Sequence, residues 1–382
     1  MRLQPLASDD PRDVVRALRG AVLGAGPAVA LGGGANLPGV MPAGTALVVT
    51  TSGSTGIPKS VALSRSALTS SALATAERIG TGAWLLALPA TYIAGAQVII
   101  RALVAGRDPA ILAGAFTAQT FAAAASAMAA HENGEAVPHF TSLVPAQLQT
   151  LVDAGETDAA VARALASFEA ILIGGQALPP VLAERAAALG ARLVRTYGST
   201  ETSGGCVYDG RPLDGVDLRV VDGEVQVSGP TLADGYVGDP ARTDDIFVRD
   251  ARGIRWYRTG DAGTVDEGVL RITGRRDNVI VSGGVNISLD RVEQVVRTLP
   301  GLTGAVVVPT ADDRWGEASV VVAPRSALAG RADADVLAVI RRAVADAIGA
   351  PARPRELLVL DEVPHLPSGK PDRAALRALV RG

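Results

Sequence analysis

Short, uniformly apolar runs alternate with longer stretches in which apolar residues recur every three or four positions. "ALVVT" (46–50), "WLLALP" (84–89), "FEAILIGG" (168–175) and "ARLVRTYG" (191–198) have the texture of strands buried on both faces. "AQVIIRALVAG", "AAVARALASF" and "PPVLAERAAALG" have helical periodicity, the last with proline near its first turn. That alternation predicts layered α/β structure around a largely parallel sheet. From about residue 218 the pattern changes. "LRVVDGEVQVSG" and "GIRWYRTGDAGTVDEGVLRITG" read as short strands joined by Asp-Gly and Glu-Gly turns. After "GRRDN" it changes again, to two-strand and helix patterns such as "SLDRVEQVVRTL", "GAVVVPT", "ASVVVAP" and "DADVLAVIRRAVADAI". The expected organisation is α/β: a large N-terminal domain over 1–273, with a β-rich subdomain at about 205–273, and a small mobile α+β C-terminal domain over 274–382. The boundary falls near 274–277.

Composition narrows the classes. Of 382 residues, 48% are hydrophobic and 20% charged, so sizeable cores are available, built from Ala, Val and Leu because aromatics reach only 3%. A net charge of −3 without a basic block argues against a nucleic-acid surface. A lone cysteine, Cys206, permits no intramolecular disulfide and no multi-cysteine zinc site. The three histidines, His131, His139 and His365, are too scattered for a typical metal site. The N-terminal stretch has no apolar signal core, so a cytoplasmic protein is expected. Stretches 79–100 and 109–130 are uncharged and long enough to span a bilayer. Pro89, Thr91, Gly95 and Gln97 in the first, and Thr, Gln and Ser in the second, make them buried elements of a water-soluble chain, with no stable membrane insertion. Size and charge allow a monomer or a homodimer.

The only lysines are Lys59 and Lys370. Lys59 ends "TTSGSTGIPK", which approaches a Walker loop and then places Pro58 where the second glycine belongs. Proline has no N–H for a phosphate. Strand-like sequence on both sides makes this strand–loop–strand, without the helix N-terminus of a Walker site. Hydroxyls of Thr51, Ser52, Ser54 and Thr55, a tight curl at Gly53 and Gly56, and the mobile cation of Lys59 suit a polyphosphate. An ordinary Ser/Gly-rich hairpin loop has the same composition. "RTYGSTETSGG" follows a strand, at the edge where α/β sheets bind ligands. There Tyr197 offers a ring for a purine, Thr200 a hydroxyl for phosphate and Glu201 a carboxylate for Mg²⁺. Asp261 of "YRTGDAG" reads as a carboxylate in a tight turn, able to accept two hydrogen bonds from a diol, or as plain turn chemistry.

"TSGSTGIPKS" closely resembles the phosphate loop of the adenylate-forming superfamily of acyl- and aryl-CoA synthetases, adenylation domains and luciferases. "TYGSTET", "YRTGDAG", "GRRDNVIVSGGVNIS" and "PSGKPDR" match further motifs in the same order, from about residue 46 onward. The resemblance implies an enzyme that uses ATP and Mg²⁺ to make an acyl-adenylate and then CoA to take the acyl group. It puts Gly174, Gly175 and Gln176 against adenine, with Tyr197 and Gly198, and gives the ribose to Asp261 with Arg275. Glu201 would hold the metal beside Thr200, Asp277 would be the hinge, and Lys370 would swing in to stabilise charge during adenylation.

Within that superfamily, "WLLALPATYIAGAQVIIRAL", "FTSLVPAQL" and "YGSTETSGGCVYDGRPLDGV" resemble the o-succinylbenzoate–CoA ligases of menaquinone synthesis in their short, Ala/Arg-rich actinobacterial style. An aromatic dicarboxylic acid needs one carboxylate activated and the other recognised. Gln97 and Arg101, four apart, share a helix face, and arginine suits bidentate carboxylate binding. Arg101 is read as that holder, or as a helix residue reaching solvent. Tyr92, Ile93, Gly95, Ser142, Leu143, Ser203 and Gly204 complete the expected pocket, with core packing the other reading for Ile93 and Leu143. Departures from the pattern are Tyr92 where many relatives carry His, Ser60 in place of Gly, Asn278 in place of Asp, and a shorter N-terminal region. A ligase for another acid, or a silent nucleotide-binding protein on the same scaffold, stays open.

Overall fold

The structure, a computed structural model, describes residues 1–33, 37–51, 58–129, 131–132, 134–366 and 369–381. Each apolar run read as a strand forms one: Thr45–Thr51, Ala83–Leu86, Ala170–Ile173 and Leu193–Ser199. The helical patterns become Ile93–Val104, Ala159–Ser167 and Pro180–Ala188, with Pro180 in the first turn, where its missing N–H costs nothing.

Two sheets sandwich a helical layer. One runs in the order Leu3–Pro5, Ala28–Leu31, Thr45–Thr51, Lys59–Ser64, Gly235–Tyr236. Its first three strands are parallel, and the last two add antiparallel. The other runs Arg211–Pro212, Gly204–Tyr208, Leu193–Ser199, Ala170–Ile173, His139–Leu143, Ala83–Leu86, Ala110–Ile111. It is parallel from Leu193–Ser199 to its far edge and turns antiparallel at Gly204–Tyr208. Helices Arg65–Ile79 and Ile93–Val104 fill the space between, and one continuous core joins Leu47, Leu63, Leu68, Trp84, Ile99 and Phe140. Ser64 caps the first of these helices by accepting the Ala67 N–H at 3.1 Å. Among the described residues, no helix is long and apolar enough to cross a membrane.

The β-rich stretch forms as read, with left-handed residues at both expected turns: Asp222–Gly223 at φ +50° and +76°, Glu267–Gly268 at +49° and +74°. Two expectations need correcting. Asp261 is not in a tight turn but inside the long strand Arg255–Asp266, directly opposite Arg275. Gly260 at φ +71° and a register shift after Ala262 bend the strand there, so the Gly-flanked aspartate marks an irregular strand. Leu193–Ser199, read as buried on both faces, is only half-buried, because one side opens on a cleft.

Beyond Arg275, a sheet in the order Val285–Ser288, Val279–Ser282, Gly316–Pro324, Val306–Asp312, with Glu356–Leu360 beside Gly316–Pro324, has its own core. "VVV" at 306–308 is uniformly apolar because both faces are covered: Val307 meets Val292 and Ile340, while Val306 and Val308 meet Leu376. Buried Glu293 ties the unit together, accepting from the Val307 N–H at 2.9 Å and Arg373 at 2.7 Å and forming an ion pair with Arg297 at 2.9 Å. Removing it strands Arg297 and a buried N–H, so Glu293→Ala is expected to cost about 3 kcal/mol. Urea unfolding measures this; a loss below about 0.5 kcal/mol contradicts it.

Candidate active site

Lys59 opens the strand Lys59–Ser64, and Glu201 sits in the one-turn helix Thr200–Thr202 that ends the strand Leu193–Ser199. Their side chains meet: Lys59 Nζ donates to Glu201 Oε1 at 2.7 Å. Glu201 is 3% exposed. Burial pushes its carboxyl up, but the Lys59 charge, the Lys59 hydrogen bond and that of Tyr236 outweigh it, and it is held below the ordinary 4.5. Among the described residues, both side-chain hydrogen bonds to Glu201 fall on Oε1, at 2.7 Å from Lys59 and 2.9 Å from Tyr236 Oη. That suits Mg²⁺ shared between one protein carboxylate and substrate oxygens. A protein-caged metal does not fit: the described residues contain no group of three or more His, Cys, Asp and Glu placed to hold one. Thr51 pairs across the hairpin with Lys59, and Thr200 is buried beside Glu201. Ser52, Gly53, Ser54, Thr55 and Gly56 lie outside the described residues.

A second polar cluster lies along the same edge. Tyr197 Oη donates to Asp261 Oδ2 at 2.6 Å, and Arg275 donates to Asp261 Oδ1 at 3.2 Å. Burial raises the Asp261 carboxyl above its ordinary value, and Tyr197 and Arg275 only partly offset that. Tyr197, Gly198, Ser199, Thr202, Tyr257, Thr259, Asp261 and Arg275 enclose a small recess. Gly198 is required there, since a Cβ would stand 2.0 Å from the Gly204 carbonyl oxygen of the paired strand. Arg275 also grips Asp277 with two hydrogen bonds of 3.0 Å, which hold that carboxyl low.

The loop carrying Lys370 docks on this edge. Gln176 Nε2 donates to the Gly369 carbonyl at 3.3 Å, and a Cβ added at Gly175 would lie 3.7 Å from Lys370 Cε. Gly369, at φ +78°, presses on Val144 so closely that a Cβ would come within 3.0 Å. Lys370 stays open to solvent in the cleft mouth. Crowding by the walls lowers its ammonium pKa, Glu201 and Asp261 pull it up, and Arg275 and Lys59 push it down. All four charged groups therefore act on one cleft. Gly174, whose Cβ would stand 2.5 Å from Thr196 Oγ1, packs against the neighbouring strand. The Gly174–Gln176 loop thus carries the C-terminal contact.

The acid-pocket residues divide. Tyr92 caps the helix Ile93–Val104. Gly95 lets that helix pass Pro89, whose carbonyl oxygen would lie 2.2 Å from a Cβ. Ile93, Gln97 and Gly204 adjoin one another. Gln97 is 1% exposed, and neither atom of its amide has a hydrogen-bond partner among the described residues. Arg101, far from reaching solvent, is 6% exposed, lies 5.2 Å from the centre of the Trp84 ring and donates to Tyr208 Oη at 3.2 Å. Its Nε and Ser142 Oγ are also buried without a partner. Unpaired buried polar atoms are rare and are ordinarily met by an ordered water or a ligand; among the described residues Thr45, Thr231, Asn278 and Arg377 carry one each as well. Leu143 and Ser203 do not join them. Leu143 packs in the core with Leu85 and Leu148, and Ser203 spends its hydroxyl on the Thr231 carbonyl at 2.8 Å.

Sequence reasoning passed over Tyr236, Tyr208 and Tyr257. A usable signal existed: in a chain with only five tyrosines, four reach residues of this cleft or its border.

Residues 12–237 match the family described as AMP-binding enzyme, and 291–370 match the AMP-binding enzyme C-terminal domain. The chain belongs to the AMP-binding enzyme family. A Mycobacterium tuberculosis protein named probable 2-succinylbenzoate–CoA ligase is 41% identical over 341 residues, covering 87% of this chain and 83% of that one. The Escherichia coli 2-succinylbenzoate–CoA ligase is 32% identical over 283 residues, 71% of this chain and 57% of its own. The Bacillus subtilis o-succinylbenzoate CoA synthetase, solved with the acyl-adenylate OSB-AMP, superposes with a TM-score of 0.71 at 25% identity, covering 87% and 69%. An E. coli MenE variant with bound OSB-AMS gives a TM-score of 0.70 at 28% identity, covering 92% and 72%.

The buried pair has a pH signature. A carboxylate held below its ordinary pKa contributes stability above that value and loses it as pH falls through the folded-state value. In Lys59→Met the cation is gone and burial dominates. The variant should be about 3 kcal/mol less stable than the parent near neutral pH, with the gap closing as pH falls to about 4. Urea unfolding across that range tests this; a gap independent of pH contradicts it.

Proposed function

We propose that this chain converts o-succinylbenzoate to o-succinylbenzoyl-CoA, in menaquinone synthesis, through an acyl-adenylate. The reading rests on Gln97, buried with its amide unpaired against Gly204, close along the chain to Glu201, and on Arg101 one helical turn further on. The relative that is 41% identical is named for the same substrate.

In the first step a carboxylate oxygen of the acid attacks the α-phosphorus of ATP, the bond to the β-phosphate oxygen breaks, and pyrophosphate leaves. Lys59 and the hydroxyl loop Thr51–Gly56 hold the β- and γ-phosphates. Mg²⁺, held through Glu201, neutralises phosphate charge when bound. Tyr197 and the 174–176 loop face adenine, and Asp261 with Arg275 takes the ribose hydroxyls. Lys370 steadies the negative charge where carboxylate and phosphate meet. Arg101 pairs with the carboxylate that is not activated, and Gln97 and Ser142 supply neutral hydrogen bonds. The chain divides into 1–273 and 274–382, and rotation about Asp277 removes Lys370 so that the CoA thiol attacks the adenylate and expels AMP. The protein supplies no covalent nucleophile in this scheme; Cys206 is buried, with its thiol pushed up to about 12. The reading places the enzyme in the cytoplasm, where ATP and CoA are available.

Pyrophosphate release with o-succinylbenzoate, benzoate and a fatty acid tests the proposal. Release with o-succinylbenzoate alone is expected; release only with the others overturns the substrate, and no release with any acid overturns the activity. Arg101→Ala should raise KM for o-succinylbenzoate at least about tenfold with KM for ATP unchanged. Lys370→Ala should slow adenylation by about two to three orders of magnitude while thioester formation from preformed adenylate changes little. Equal losses in both half-reactions contradict that role.

A further inference from the structure

We infer that Tyr236, which the reaction above does not use, is a positioning residue that keeps Glu201 aimed when Lys59 leaves it. The inference rests on the reading of the cleft as the site of ATP's phosphates.

Tyr236 is fixed from several sides. Its backbone pairs with Val61 of the strand that begins at Lys59, and the Val237 N–H donates to the Ser60 carbonyl at 2.8 Å. The Tyr236 N–H donates to Thr243 Oγ1 at 2.9 Å. The side chain is 7% exposed and its ring packs 6.0 Å from that of Phe247. A ring so held has little freedom to move its hydroxyl, which donates to Glu201 Oε1 at 2.9 Å.

Lys59 donates to the same oxygen at 2.7 Å, with its ammonium 5.2 Å from the centre of the Tyr236 ring. The two donors differ in kind. Lys59 is a flexible charge, and a polyphosphate offers it a more negative acceptor than one carboxylate. Tyr236 is a neutral donor on a paired strand. When phosphates draw Lys59 away, the hydroxyl remains on Oε1, and the Glu201 carboxylate stays in place, where it would hold a cation. Without the hydroxyl, Glu201 would lose the other side-chain hydrogen bond that the described residues give its Oε1, at the moment it must hold that cation. If Tyr236 only packed, phenylalanine would serve equally.

Tyr236→Phe keeps the ring and removes one oxygen. With an α,β-methylene analogue of ATP present, binding of Mn²⁺ to the full chain, counted by electron paramagnetic resonance, should weaken by about tenfold. The Mg²⁺ concentration for half-maximal adenylation should rise by a similar factor, while KM for the acid stays unchanged. Mn²⁺ binding and Mg²⁺ requirement equal to those of the parent overturn the inference and leave the phosphate-site reading intact. Failure of the parent chain itself to bind Mn²⁺ with the analogue overturns that reading and the inference with it. Should Tyr236→Phe melt more than about 10 °C below the parent, a sign of fold damage, a structure of the parent with Mn²⁺ and the analogue decides. Tyr236 Oη still on Glu201 with Lys59 on phosphate supports the inference; Tyr236 detached overturns it.

Discussion

A carboxylate enclosed by protein stays charged only if cations or donors replace the water it has lost. Glu201 meets that condition through Lys59 and Tyr236, and much of the architecture converges to bring these residues together. Lys59 comes from one sheet, Glu201 from the end of a strand in the other, and Tyr236 from a short strand added antiparallel beside Lys59. The helical layer and shared core hold the two sheets in that register. Moving either sheet by one residue would separate the pair.

A different logic applies on the acid side. There polar atoms are buried without a partner among the described residues: both amide atoms of Gln97, Nε of Arg101 and Oγ of Ser142. Glu201 is balanced in charge through Oε1, whereas these atoms have no partner among the described residues. In the proposed reaction their partner is an acid with a second carboxylate, and the same lack of partners that lowers stability supplies recognition. The Lys370 loop then closes the remaining side, pressing Gly369 on Val144 and meeting Gln176.

Much of this was legible in the chain. Apolar runs and helical periods located the main elements because packing agreed with local preference, and the scarcity of lysine singled out Lys59 and Lys370, both of which reach the cleft. What stayed hidden depends on distant residues. That Lys59 and Glu201 touch is a contact across 142 positions, and no periodicity encodes it. Asp261 looked like a turn residue because glycines flank it, yet those glycines bend a long strand. Leu143 and Arg101 lie in similarly apolar surroundings, and only the packing shows that one belongs to the core while the other carries a buried charge. Tyr236 sits in a two-residue strand too short for any pattern to reveal.

In the proposed reaction an acid carboxylate attacks the α-phosphorus of ATP inside this cleft. The fate of the acid's oxygen through one turnover decides it. With o-succinylbenzoate labelled by ¹⁸O in both carboxylates, one labelled oxygen is expected in the AMP released and none in pyrophosphate. Label in pyrophosphate, or unlabelled AMP from a completed turnover, would contradict it.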